Sequence, residues 1–211
     1  MGKTAMTRKG ISDMRSEQHT PTKTDDVAGN ATDMPTARPR KLIALHWLTV
    51  FCLVAAVAFV LIRDQVDART ARQWLLEGHR HFGLFVLLLF LVRVAVRIRL
   101  GKLPATADTS WLMRCAAGLT HIALYALLLA QPLLGWALSN AEGKPVHLLG
   151  LTLPALVGAD EDLADSLQAW HLDTAWVLLA LASLHIAAAL WHHFVLRDGV
   201  LRAMWPRRRP S

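Results

Sequence analysis

The sequence predicts an all-α membrane protein, built as a four-transmembrane-helix bundle. Three observations carry that expectation. Hydrophobic residues make up 54% of the 211-residue chain and charged residues only 18%, against roughly 25% in soluble domains. The apolar residues fall in long uncharged blocks instead of the spaced pattern of a soluble core. Four such blocks follow one another, and histidines recur in and around them. This composition excludes a soluble α/β enzyme, and no Gly-rich loop of the nucleotide-binding kind is present.

Residues 1–38 are polar, rich in Thr, Asp and Lys, and have no apolar period. They read as a disordered tail. No apolar core follows the first basic residues, so they do not read as a signal peptide. The four-helix domain is expected over 39–206, with a basic tail at 207–211. Its first block, 42–62, holds 21 uncharged residues; the third, 116–138, and the fourth, 174–196, hold 23 each. About 20 apolar residues span the hydrocarbon of a bilayer. The second uncharged stretch, 82–92, has only eleven residues. Its helix is expected over about 75–98, which brings His79, Arg80, His81 and Arg93 near its ends. Ionisable residues at membrane depth mark function. Pro132 lies within the third span, where a kink is expected and tolerated. Trp47, Trp74, Trp136, Trp170, Trp191 and Trp205 sit near span ends, as in an interfacial aromatic belt.

Four spans bring both termini to one side of the membrane. Of the 23 Lys and Arg, 18 fall on that side and 5 on the other, so both termini are expected in the cytoplasm. The same asymmetry accounts for the net charge of +7 without a nucleic-acid partner; the expected partner is the lipid bilayer. Two loops then face outward, at about 63–77 and 140–168. The second is acidic, with Glu142, Asp160, Glu161, Asp162 and Asp165 against Lys144.

The histidines point to the chemistry. There are ten, of which only His19 lies in the tail. An imidazole in lipid is costly without a partner, so several at membrane depth suggest ligation. His171 and His185 are 14 residues apart, about 21 Å along a helix and within about 40° of one face. One helix thus offers an imidazole near each membrane surface. Following the direction of each span, His79 reaches the outer level with His171, and His46 reaches the inner level with His185. Each pair suits axial ligation of one haem iron inside a bundle. His192, seven residues after His185, and His121, opening the third span, compete for the inner site. His81 and His193 suit surface or interfacial contacts, and His147 suits a loop. Arg93 serves equally as a membrane anchor or as a partner of haem propionates, and Arg80, beside His79, offers a positive charge outside.

Other site chemistries fit less well. No compact Cys/His zinc pattern occurs. The four uncharged blocks lack Asp and Glu, which argues against ion transport. Cys52 and Cys115 suggest neither a disulfide nor a metal site, and no C-x-x-C-H motif for covalent haem attachment is present. A purely structural protein leaves the two-level histidine stripe unexplained.

Residues 39–206 resemble the bacterial, nickel-hydrogenase-type cytochrome b561 family. The resemblance is carried by Ile43, His46 and Trp47 opening the first span, and by Gly78, His79 and Gly83 opening the second. Arg93, Gly118, His121, Tyr125, Pro132 and Gly135 follow, then Gly150 and Pro154 in the outer loop. Trp170, His171, Leu184, His185, Leu190 and His193 complete it. The resemblance implies a four-helix inner-membrane cytochrome with two b haems, exchanging electrons with ubiquinone. By position it implies His46, His79, His171 and His185 as the iron ligands. Two activities are compatible with it. One is an electron carrier served by a periplasmic donor. The other is a superoxide:ubiquinone oxidoreductase, which needs a basic outer entrance for an anion; Arg69, Arg72, Arg80 and Lys144 are available. The long polar tail departs from the family pattern.

Overall fold

The computed structural model describes residues 39–101, 110–197, 201 and 204. The expected tails at 1–38 and 207–211 lie outside these residues. Four helices dominate: α1 over Arg40–Arg63, α2 over Arg69–Leu100, α3 over Trp111–Ala141 and α4 over Glu161–Phe194. All four are long and apolar enough to cross a membrane. Between α3 and α4 lies a small hairpin of β1, His147–Leu148, and β2, Leu151–Thr152.

Helix ends follow local chemistry. The Pro39 carbonyl accepts from the amide of Leu42 at 2.9 Å and opens α1. Arg63 closes it, a positive charge where the helix dipole is negative. α2 ends at Gly101, whose φ of 66° suits a residue without a Cβ. Ser110 caps α3 by accepting from the amide of Met113. Asp160 caps α4 by accepting from the amide of Leu163 at 2.9 Å, and Glu161 and Asp162 add negative charge to its first turn. In the hairpin, Leu149 and Gly150 both take positive φ, 52° and 84°, as a two-residue mirror-image turn requires.

Two boundaries differ from the sequence reading. The second helix, expected over 75–98, covers Arg69–Leu100. The outward loop, expected over 140–168, is bounded by the end of α3 at Ala141 and the start of α4 at Glu161. Uncharged blocks mark only the part of a helix that must lie in hydrocarbon. With 32, 31 and 34 residues, α2 to α4 are each about 45–50 Å long and exceed a hydrocarbon core of about 30 Å. Ser110 and Asp160 cap the polar starts of α3 and α4, which hydropathy does not register, whereas α2 opens at Ala68 without a side-chain cap. α3 runs unbroken through the buried Pro132.

α1 packs on α2, α2 on α3, and α3 on α4. Ile43, Thr49, Cys52 and Ala56 are the buried residues of α1; three of the four are small, which lets membrane helices approach. Phe59 lies over Gly78, where an added Cβ would meet its ring at 3.0 Å. Ala137, Ala141 and Leu167 form the buried contact of α3 with α4. No large side chain among the described residues is fully buried, and many apolar ones, including Phe51, Leu61, Trp176 and Leu184, face outward. That is the distribution expected of a bundle solvated by lipid.

The helix ends form two groups. At the hairpin end, Asn140 accepts from the amide of Leu156 at 2.9 Å, and the amide of Asp160 donates to the carbonyl of Ala141 at 2.9 Å. These bonds fold the loop back on α3. At the terminal end, Trp47 donates to the carbonyl of Met204 at 2.9 Å, tying the start of α1 to the residues after α4. Cys52 and Cys115 are both free thiols.

Candidate two-level histidine site

Three helices bring four histidines together in two pairs at two depths. At the hairpin end, His79 of α2 faces His171 of α4 with ring centroids 6.1 Å apart and planes at 86°. At the terminal end, His46 of α1 faces His185 of α4 at 6.5 Å and 77°. These are the pairs expected from span direction and helical spacing. Two imidazoles binding one metal from opposite sides, at about 2 Å per bond, place their centroids about 6 Å apart. Both pairs match that span. His121 of α3 also reaches His185, at 5.4 Å and 80°, so the terminal-end cluster holds three rings.

Hydrogen bonds select the ring nitrogen at several positions. His79 Nδ1 lies 2.8 Å from the carbonyl of Ala56. A carbonyl only accepts, so Nδ1 carries the proton and Nε2 keeps its lone pair, the arrangement that suits a metal ligand. His121 and His81 bond the same way to their own helices, at 2.6 Å to Ala117 and 2.8 Å to Glu77. His46 Nδ1 lies 3.3 Å from Arg93, whose guanidinium also sits 5.6 Å above the Tyr125 ring. Arg93 is therefore turned to the terminal-end cluster and does not serve as a surface anchor alone. His171 Nδ1 is buried without a hydrogen-bond partner. His147 bonds Thr152 across the hairpin at 3.1 Å, as a loop residue. His193 packs its ring on Phe194 at 4.8 Å.

The surroundings fit a flat cofactor held by two histidines. Gly83 is one turn from His79 on the same face, and Gly118 stands nearly one turn before His121. A Cβ added at either would meet nothing within 4 Å. Gly135 does the opposite work: an added Cβ would lie 3.1 Å from His171 Cε1, so its absence makes room for that ring. Among the described residues no group of three His, Cys, Asp or Glu forms a metal cluster. Two imidazoles supply only axial ligands, so a macrocycle that provides the equatorial ones suits the donor set.

Sequence reasoning missed two side chains at this site. Gln131 of α3 donates to the carbonyl of His171 at 2.9 Å and lies 3.4 Å from its Nε2. Thr174 donates to Gln131 Oε1 at 2.6 Å. The signal was available, since Gln131 is the one amide in the third uncharged block. Arg80 differs from expectation. Its guanidinium is committed to Glu77 at 2.7 Å and approaches Glu142 at 3.8 Å, while Glu142 also pairs with Lys144 at 2.9 Å. The positive charge beside His79 is thus offset by carboxylates. A cleft of about 320 Å³ at the same end is lined by Arg63, Arg69 and Arg72 together with Asp67.

A family model described as prokaryotic cytochrome b561 matches residues 37–207. The chain is 31% identical over 167 residues to the probable superoxide oxidase CybB of Yersinia pestis, covering 79% of this chain and 94% of that one. It is 32% identical over 170 residues to cytochrome b561 homolog 1 of Escherichia coli, covering 79% and 96%. A cytochrome b562 of Cereibacter sphaeroides is 31% identical over 180 residues, covering 80% and 95%.

Proposed function

The chain belongs to the prokaryotic cytochrome b561 family, and from that premise we propose that it is an electron carrier of the bacterial inner membrane, working with the ubiquinone pool. Membership implies a multi-pass membrane protein that binds b-type haem. The proposal goes further and places two haems, one on His79 and His171 and one on His46 and His185. One observation carries it: two histidine pairs with centroids 6.1 and 6.5 Å apart at two levels of one bundle. When bound, such groups supply one-electron redox chemistry at two depths, between a donor outside and ubiquinone.

The residues of this chain hold, orient and shield. α4 fixes both levels, because His171 and His185 share its rigid axis. Ala56 sets the tautomer of His79, and Arg93 brings positive charge to His46, where it can offset a carboxylate or another anion. Outward Leu, Phe and Trp side chains keep water from the interior. The basic-residue asymmetry supports an orientation with the hairpin end in the periplasm and both termini in the cytoplasm.

A second reading is superoxide:ubiquinone oxidoreductase. Its support is the name of the Yersinia pestis relative and the arginine-lined cleft at the hairpin end. The chemistry balances when two superoxide anions each lose one electron to give dioxygen and one ubiquinone takes up two electrons and two protons.

The test common to both readings is a dithionite-reduced minus oxidised spectrum of the purified protein, with haem counted per chain. Two low-spin b haems are expected. One haem, or none, overturns the two-level assignment.

A further inference from the structure

Within the spanning region an amide side chain, Gln131, bridges α3 to α4, and its orientation is determined by its partners. The carbonyl of His171 can only accept, so the Gln131 atom 2.9 Å from it must be Nε2. Oε1 then faces Thr174 at 2.6 Å and takes the hydroxyl proton. Thr174 Oγ1 also lies 2.6 Å from the carbonyl of Trp170, the partner it would use inside its own helix. The hydroxyl thus has one proton and two acceptors at the same distance, one on its own helix and one on α3.

Gly135 follows Gln131 by one turn and faces the same histidine. α3 thus meets His171 at two points: an amide on its backbone and near its ring, and a bare Cα against Cε1 at a Cβ distance of 3.1 Å. Across the pair, His79 is held by Ala56. The terminal-end pair is built differently. His185 has ring contacts to His46 and His121, and no side-chain hydrogen bond fixes it among the described residues.

We infer that Gln131, with Thr174, is a positioning residue for His171, fixing the rotation and height of α4 against α3 so that this imidazole meets its iron in one orientation. The inference rests on reading His171 as an axial ligand. Gln131 acts on His171 through its backbone carbonyl and ring, so its role is to orient the ligand. Its effect is expected at the hairpin-end haem, since the hydrogen bonds of Gln131 go to His171 and Thr174.

The test uses the full-length protein in detergent or nanodiscs. Low-spin ferric haem would give electron paramagnetic resonance g-values sensitive to the angle between the two imidazole planes that hold it; the His79 and His171 rings stand at 86° in this structure. Gln131→Leu is expected to shift the g-values and midpoint potential of one haem, leaving the other haem and the haem count unchanged. Thr174→Val should shift the same haem in the same sense, and Thr174→Ser, which keeps the hydroxyl, should restore wild-type values. Unchanged spectra and potentials in both Gln131→Leu and Thr174→Val would overturn the inference, as would equal shifts in both haems. If Gln131→Leu fails to fold, the Thr174 pair decides alone. His171→Ala separates the two levels of argument. If it keeps two low-spin haems, the ligand reading is wrong. If it loses one haem while the Gln131 and Thr174 variants match wild type, only the positioning role falls.

Discussion

At the scale of single residues, the histidines divide by what their second nitrogen does. His79 gives Nδ1–H to Ala56, while His46 sits by a guanidinium. A hydrogen bond such as that of His79 to Ala56 fixes ring orientation and ligand basicity. The two levels are therefore expected to differ in potential, and substitutions should separate them. His171→Ala should remove the hairpin-end haem and largely preserve the other; His185→Ala should do the reverse. Haem content per chain, read by pyridine haemochrome with optical redox titration, checks both. His121 is the rival at the terminal end. Its ring centroid is 5.4 Å from that of His185, shorter than the span across a metal, whereas His46 is at 6.5 Å. His121→Ala is accordingly expected to keep two haems and His46→Ala to lose one. The opposite pattern would move the ligand from α1 to α3.

At the scale of elements, α3 approaches α4 closely at His171. Gly135→Ala introduces a Cβ 3.1 Å from His171 Cε1, so the ring or the helix must give by a few tenths of an ångström. The expected result is a broadened or shifted spectrum of the hairpin-end haem with the other unaffected; a wild-type spectrum would show that α3 yields without disturbing the ligand. The helices and both histidine pairs were legible in the sequence, because uncharged length and a 14-residue spacing are properties of the chain itself. Two things were not. The start of α4 depends on the Asp160 cap, and the ends of α2 lie in polar turns beyond the hydrocarbon, to which hydropathy is blind. The partners of Gln131, and the second partner of Arg80, depend on which segment lies opposite. The ion pair of Arg80 with Glu77, three residues before it on α2, is readable from helical spacing, whereas Glu142 lies 62 residues away in the chain. The cap can be weighed directly. Asp160→Ala removes the acceptor for the amide of Leu163, and should lower stability by about 1 kcal/mol in thermal unfolding, with the haem spectra unchanged.

At the scale of the whole molecule, orientation and charge decide which reading of the activity holds. The placement of 18 basic residues on the terminal side against 5 on the hairpin side predicts that a reporter fused after Ser211 is active only in its cytoplasmic form; periplasmic activity would exchange the two haem levels. With that orientation the hairpin end meets the donor, and it carries two opposed surfaces. One cleft is lined by Arg63, Arg69 and Arg72. The other, of about 600 Å³, is lined by Glu142, Asp160, Glu161 and Asp165. Salt screens either field over about 10 Å at 0.1 M, so the sign of the salt effect identifies the surface that guides the donor. If the acidic surface governs, superoxide is repelled; its reaction is slow and does not slow further as ionic strength rises, while a basic protein donor reacts fastest at low salt. If the arginine cleft governs, reduction by superoxide is fast and falls with salt. Neutral replacements at Arg69 and Arg72 then slow it without loss of haem, whereas replacing Arg80, already paired with Glu77 and Glu142, has a smaller effect. The carrier reading predicts the first outcome. Stopped-flow reduction of the purified protein across a salt series, with ubiquinone as acceptor, distinguishes them, and a rapid rate that declines with ionic strength would establish the oxidoreductase in its place.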